Sequence, residues 1–217
     1  MARGRPWIAM AALACALAWW LWLRPAHRPA PAMTGAIHER AGGCTMPPQV
    51  TAGEAPLQTA VPPGLALPAV AGAALAPLAG FSVDARVLGR EDYRLGREAD
   101  YSPVDLALGW GRMADDAVLA RLSISQGGRW YRYRWQGEPP IPVAEIVRSS
   151  ANMHMVPADD AVADALARIE PGERVRIDGW LVQVDAADGW RWRSSLTRED
   201  SGSGACELVY VCAVTRL

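Results

Sequence analysis

The chain has 217 residues with a formal net charge of −1, and every one of its 22 basic residues is an arginine. Because lysine is absent, phosphate-binding loops that end in Gly-Lys and Schiff-base catalysis are excluded, since both need a lysine amine. The sequence holds three histidines and no HExxH, HxxxH or CxxC pair, so we predict neither a metal site nor a cofactor.

The chain opens with a hydrophobic segment that is typical of a membrane anchor. The run 7–23 comprises 17 uncharged residues, about 25 Å as a helix, which is the short limit for crossing a bilayer. Tryptophans near both ends of the run are typical of membrane interfaces. We predict a cytoplasmic region over 1–6 and a single-pass transmembrane signal anchor over 7–23. The alternative is a signal peptide that is cleaved at Ala16-Leu17-Ala18.

A proline-rich segment separates this anchor from the rest of the chain. Residues 24–78 contain ten prolines, which predicts an extended spacer, part of which packs against the domain. Residues 79–217 are long enough for one exported domain. Their 17 arginines against 21 acidic residues argue against a nucleic-acid partner. The all-arginine composition favours a bacterial source, so the predicted location is the inner membrane with the domain in the periplasm.

The first half of the domain shows strand, helix and hairpin patterns in turn. Residues 81–89 alternate as a half-buried strand does, and Ser102-Pro103 predicts the start of a helix over 102–108. A second short helix is expected over 114–121. The segments 121–126 and 129–136 flank Gly127-Gly128, which predicts a β-hairpin with a two-residue turn.

The second half contains one clear helix and three strands. Residues 159–172 have helical periodicity that ends at Pro171-Gly172. The strand over 173–184 changes parity near Gly179, which predicts a bulge there. Segments 190–196 and 206–214 are expected to form a hairpin around the polar loop 197–204. These patterns predict an α+β fold, a curled antiparallel sheet of the small OB-like barrel type with short helices, behind the N-terminal transmembrane helix.

Cys206 and His154 are the first candidate site, as a thiolate–imidazolium pair of the kind that hydrolyses acyl compounds. Asn152, the only asparagine, is placed to orient the histidine ring in a polar segment, 149–157, that reads as a loop. The competing interpretation is structural, because a cysteine that opens an apolar strand is usually a small buried hydrophobe.

A second candidate site lies in the segment 193–200. Arg193, Arg198, Glu199 and Asp200 form a charged cluster in which arginine suits bidentate binding of an anion. The alternative is a solvated turn whose charges pair locally for little energy. The aromatic and basic ribbon 129–135 is expected to cover the core with its aromatic face.

The cysteines restrict the possible disulfides. Cys206 and Cys212 lie six residues apart on one predicted strand, about 20 Å, and cannot bridge each other. Cys44 in the spacer can reach either of them, so one thiol is left over.

For function, the sequence favours an anchored exported protein whose domain binds a partner protein or a small ligand of the cell envelope. One alternative is an exported hydrolase that uses Cys206 with His154, or the cluster at 193–200. Another is a structural subunit of an envelope complex.

Overall fold

The computed structural model describes residues 37–40, 42–197 and 206–217. The predicted anchor at 7–23 lies outside this part of the chain, as do Arg198, Glu199 and Asp200. Within the described ranges, no helix is both long and apolar enough to cross a membrane.

Short helices are inserted between ten strands. The strands are β1 (Ile37–Arg40), β2 (Leu57–Thr59), β3 (Ala74–Asp92), β4 (Val104–Gly109), β5 (Ser123–Gly127), β6 (Trp130–Arg134), β7 (Ser150–Pro157), β8 (Arg174–Asp185), β9 (Arg191–Arg193) and β10 (Glu207–Arg216). The α-helices are α1 (Arg97–Tyr101), α2 (Asp116–Leu119), α3 (Val143–Arg148) and α4 (Asp160–Ala167), with a 3-10 turn at Gly111–Ala114.

The main sheet is curled. Strands β3, β4, β7, β10 and β8 pair in that order, and β8 also pairs with β3, so the pairings form a ring. Strands β1, β2 and β9 add to β10, β3 and β8 respectively, while β5 and β6 form a separate hairpin. The α+β, sheet-dominated architecture is confirmed. The expectation of an antiparallel sheet needs a correction, because β7 and β10 run parallel.

Both faces of this sheet are buried. The first core holds Phe81, Val83, Leu106 and Met155 from the strands, and α4 packs on it. The second core, on the other face, contains Trp180 and Tyr210 and is covered by residues 44–67 together with Trp190 and Trp192. A sheet covered on both sides hides the period-two pattern that sequence analysis depends on.

Two-sided burial explains why the predicted parity change in β8 is wrong. Ile177 and Leu181 face the first core while Trp180 and Val182 face the second, so the alternation continues without a break. The extra residue lies on the partner strand, where the register shifts between Val211 and Ala213.

The predicted helix over 102–108 and the predicted loop over 149–157 are also wrong, since these segments form β4 and β7. Every residue of β4 is buried, because β3 and β7 flank it and both its faces are covered. In β7, Met153 and Met155 face the first core, which leaves the polar residues of that segment on the other face. Strand alternation was therefore present, but it was masked by polar residues at buried positions.

The β5–β6 hairpin is confirmed, with its turn one residue later than predicted. Gly127 pairs with Trp130, so the turn residues are Gly128 and Arg129, both in the left-handed region with φ of 61° and 69°. This is the backbone of a type I′ turn. The helix expected after residue 159 is confirmed as α4, which Asp159 caps by accepting a hydrogen bond from the Val162 amide.

The segment before β2 is fastened to the sheet. A disulfide joins Cys44 to Cys212 of β10, and Cys206 is not part of it. Beyond the disulfide, Ser82 donates to the buried carboxylate of Asp178 and accepts from the Val50 amide. These contacts hold residues 44–50 over the second core.

The predicted hairpin of segments 190–196 and 206–214 is wrong. In the part of the chain that the structure describes, β9 pairs with β8 rather than with β10. The two segments meet where the Ser195 amide donates to the Cys206 carbonyl and where the Leu208 amide donates to Oγ of Ser194. Leu196 is exposed and Ser195 is buried, the reverse of what their side-chain polarity predicts.

We predict that Gly179→Ala lowers the free energy of unfolding by about 2–3 kcal/mol, because overpacking against an immobile neighbour has a cost of this size. A β-carbon at position 179 would overlap the backbone carbonyl of Tyr210 on β10. Urea denaturation followed by circular dichroism measures the effect. Gly42→Ala is the matched control, since open space surrounds that position. Equal stabilities of the two variants would contradict the proposed close approach.

Candidate functional site

A buried carboxylate organises one end of the second face. Asp105 of β4 has no exposed surface, and its Oδ1 lies 2.6 Å from Nη1 of Arg129. The same oxygen lies 2.9 Å from Nδ1 of His154, while Oδ2 accepts from Nδ2 of Asn152 at 3.1 Å. The antiparallel register places Asp105 directly opposite His154, so their side chains share a face. A charge at such a buried position needs these partners.

His154 is held between this carboxylate and an aromatic ring. Its side chain is 5% exposed and packs against Trp192, with ring centroids 4.8 Å apart. Nδ1 is within ion-pairing distance of Asp105, although its direction departs from that of a good hydrogen bond. A carboxylate beside Nδ1 favours the tautomer with the proton on that nitrogen, which leaves Nε2 as the basic atom.

Arg129, at the tip of the β5–β6 hairpin, ties the hairpin to the main sheet. Its guanidinium lies 3.7 Å from the centre of the Tyr93 ring, and its amide donates to the Tyr93 hydroxyl at 2.8 Å. Its carbonyl accepts from Nδ2 of Asn152 at 3.1 Å. A non-glycine residue in the left-handed region is unfavourable in isolation, and these contacts hold it there.

Gln126 fixes the orientation of Asn152. Nε2 of Gln126 donates to Oδ1 of Asn152 at 2.7 Å and to the Asp105 carbonyl at 3.2 Å. With its oxygen occupied, the Asn152 amide group must present its N–H donors to Asp105 and Arg129. Asn152 therefore orients the carboxylate, and the residue beside the histidine ring is Asp105.

Cys206 immediately precedes the first residue of β10, Glu207. Because β10 runs parallel to β7 with Leu208 opposite His154, alternation places Cys206 and His154 on the same face. The Cys206 Sγ lies 3.9 Å from the Arg129 carbonyl, and the residue is half-buried.

These side chains lie at a half-open cavity of about 320 Å³. We call it the Arg–Trp cavity, and it is lined by Arg129, Trp130, His154, Arg191, Trp192, Arg193 and Cys206. Its charges are unequally compensated. Arg129 is paired with Asp105, and Arg191 lies 3.0 Å from Asp185 at the surface. Arg193 instead donates to the neutral amide oxygen of Gln183 at 2.9 Å, so its charge leaves the cavity positive.

The structure thus brings three of the predicted residues to one cavity, namely Cys206, His154 and Arg193. Two further residues of the site, Asp105 and Arg129, were not identified as site residues from the sequence. Asp105 was interpreted as part of a helix start and Arg129 as a solvent-facing residue. An acidic residue inside the apolar run VDLALG was the available signal for Asp105. No local pattern marked Arg129, because its partner is 24 residues away.

A larger open groove of about 650 Å³ lies elsewhere, between residues 120–123 and 134–136. Its charged lining consists of Arg121 and Arg134, and it holds none of the nucleophilic or acid–base side chains described above. In the described ranges, His, Cys, Asp and Glu side chains form no group of three that suits a metal ion.

Comparison with known proteins finds no matching family model, no matching curated protein and no matching solved structure.

We predict that Asp105→Asn costs about 3 kcal/mol of stability, because it leaves a buried guanidinium without its counter-charge. Adding Arg129→Gln to this variant should recover most of the loss. Urea denaturation of both variants measures the difference. The control is Asp185→Asn, whose exposed pair with Arg191 contributes no more than about 1 kcal/mol. If the double variant were less stable than the single one, the charge argument would be wrong.

We also predict that stability falls as the pH rises above about 10. Burial raises the pKa of Tyr131 above its ordinary value, although its hydroxyl lies 2.5 Å from Oγ of Ser150. In that range the unfolded chain loses the tyrosine proton while the native chain keeps it, so ionisation favours unfolding. Below the ordinary value both states are protonated and the effect vanishes.

Tyr131→Phe should make the decline in denaturation midpoint with alkaline pH less steep. Chemical denaturation at a series of pH values measures both slopes. Burial raises the pKa values of Tyr93 and Tyr210 as well, so part of the decline remains in the variant. Identical slopes in variant and wild type would refute the role assigned to Tyr131.

Proposed function

We propose that the domain binds a small anionic ligand with a flat apolar part in the Arg–Trp cavity. The observation that carries this proposal is the half-open cavity itself, whose lining combines the indole of Trp192 with the exposed Arg193, and that guanidinium donates to the neutral Gln183. A guanidinium binds carboxylates and phosphates through two parallel hydrogen bonds. An indole offers a face on which a planar ligand stacks.

The cavity wall is pre-organised, which supports binding because less order has to be created when a ligand enters. Gln183 accepts from Arg193 and donates to both oxygens of Asp185, which in turn pairs with Arg191. This row of side chains holds the Arg193 guanidinium in place along β8 and β9. Trp192 is fixed by its contact with His154.

The size of the cavity sets the size of the ligand. A volume of about 320 Å³ is at the lower end of the range for small-molecule sites. With one uncompensated arginine, the charge best matched is a single negative one. We therefore infer a monoanion no larger than a substituted aromatic acid.

For location, we propose an exported domain that an N-terminal helix over 7–23 anchors in a bacterial inner membrane. The Cys44–Cys212 disulfide supports export, since such bonds persist mainly in oxidising compartments. The ring of strand pairings supports assignment to the small OB-like barrels. A binding partner among the proteins of the cell envelope stays a prediction, and so does the alternative role as a structural subunit of an envelope complex.

Benzoate is the probe that tests the binding proposal. We expect it to bind the full chain more tightly than its neutral counterpart benzamide, because only benzoate pairs with the Arg193 guanidinium. Arg193→Gln should weaken benzoate binding about tenfold, the scale of one lost charge-assisted contact. Isothermal titration calorimetry measures both affinities.

The matched control is Arg134→Gln, which removes an exposed arginine of β6 that lies outside the Arg–Trp cavity. It should leave benzoate binding unchanged. If benzoate and benzamide bind equally, or if both arginine variants weaken binding alike, the anion site is refuted.

A further inference from the structure

We propose that Cys206 and His154 form a catalytic pair in the Arg–Trp cavity that cleaves esters carrying a negative charge. The inference rests on the anion site proposed above, because Arg193 supplies the recognition of the charge. It goes beyond binding in assigning a covalent step to the same cavity.

The first support is the position of the thiol. Cys206 and His154 both line the Arg–Trp cavity, and the parallel register of β7 and β10 places them on a common face, because Cys206 precedes the partner of His154, Leu208, by two residues. The thiol is half-buried, so a ligand in the cavity can reach it. A histidine near a thiol withdraws its proton and makes it a nucleophile at neutral pH.

The second support is the burial of His154. Its side chain is 5% exposed, yet it still forms part of the cavity wall. Asp105 occupies the Nδ1 side of the ring, which leaves Nε2 as the nitrogen available to exchange a proton with Cys206 or a leaving group. The ring cannot swing away, because Trp192 packs against it.

The third support is the positive charge of the cavity. Acyl transfer passes through a negatively charged oxyanion, which positive side chains stabilise. Arg129 and Arg193 both line the cavity. Arg193 holds the anionic end of the substrate, so the ester carbonyl is left for the side of the cavity that contains Cys206. A neutral ester would lack this orientation.

The reaction proceeds in two balanced steps. The Cys206 thiolate attacks the ester carbonyl, the bond to the alcohol oxygen breaks, and protonated His154 gives its proton to the departing alkoxide. A water molecule then loses a proton to His154 and attacks the thioester. The C–S bond breaks, the acid is released and the thiol is restored.

Alkylation with two reagents tests the pair and the anion site separately. A thiolate displaces iodide from both reagents, gaining a carboxymethyl group from iodoacetate and a carbamoylmethyl group from iodoacetamide, but only iodoacetate is anionic. In water a free thiolate reacts faster with iodoacetamide than with iodoacetate, because the carboxylate of iodoacetate repels the thiolate. Mass spectrometry of the full, unreduced chain separates the modification of Cys206 from that of Cys15.

In the wild-type chain at pH 6.5, we expect Cys206 to react with iodoacetamide about tenfold faster than it does in the urea-unfolded chain, because the fraction of thiolate is larger. His154→Gln should bring this rate down to that of the unfolded chain. Iodoacetate should be favoured over iodoacetamide in the folded protein, and Arg193→Gln should abolish that preference. Arg134→Gln should change neither rate.

The outcomes are distinguishable. Loss of reactivity in His154→Gln without any preference for iodoacetate would overturn the anionic substrate class and the binding proposal, while the nucleophile would stand. A preference for iodoacetate without dependence on His154 would overturn the catalytic pair alone. If His154→Gln fails to fold, the pH profile of the wild type decides, and a midpoint at the ordinary thiol value near 8.5 overturns the pair.

Ester cleavage is the direct assay. Mono(4-nitrophenyl) succinate carries the required charge and 4-nitrophenyl butyrate does not. We expect the charged ester to release 4-nitrophenolate at least tenfold faster, through a step that Cys206→Ser abolishes. Equal cleavage in wild type and Cys206→Ser would overturn the covalent mechanism.

Discussion

The ion pair between Arg129 and Asp105 joins the two sheets of the domain. Asp105 belongs to the centre of the curled sheet and Arg129 to the tip of the separate hairpin, so the pair fixes the one against the other. The Arg–Trp cavity exists because the hairpin is held in this position. The same pair neutralises a charge that burial would otherwise make very unfavourable, which makes stability and site geometry inseparable here.

Around this pair, the polar residues form a connected network rather than isolated contacts. Gln126 orients Asn152, Asn152 bonds both Asp105 and the Arg129 carbonyl, and Asp105 faces His154. A network of this kind specifies one arrangement because each donor has a designated acceptor. The strained backbone of Arg129 belongs to it, since relaxing that turn would move the carbonyl that Asn152 bonds.

Sequence patterns predicted most completely those parts of the fold whose burial is one-sided, and they also located strands β3, β8 and β10. The β5–β6 hairpin and helix α4 each have one apolar face, and both were identified. Patterns predicted the wrong element for β4 and β7 and the wrong parity within β8, where residues 44–67, Trp190 and Trp192 cover the second face. For the candidate site, Cys206, His154 and Arg193 were identified by residue type. Asp105 and Arg129 were missed because their meaning depends on a contact between distant segments.

The position of β10 has a consequence for how the protein is made. It is the last strand in chain order, yet it pairs with β1, β7 and β8 and carries one half of the disulfide. The ring of strand pairings therefore cannot close before β10 has been synthesised. Until then, the edges of β7 and β8 that pair with β10 are unpaired. Folding that depends on such distant contacts is slow. Unpaired edges of this kind favour aggregation. The thiol of Cys206 acquires its surroundings only when β10 joins the sheet.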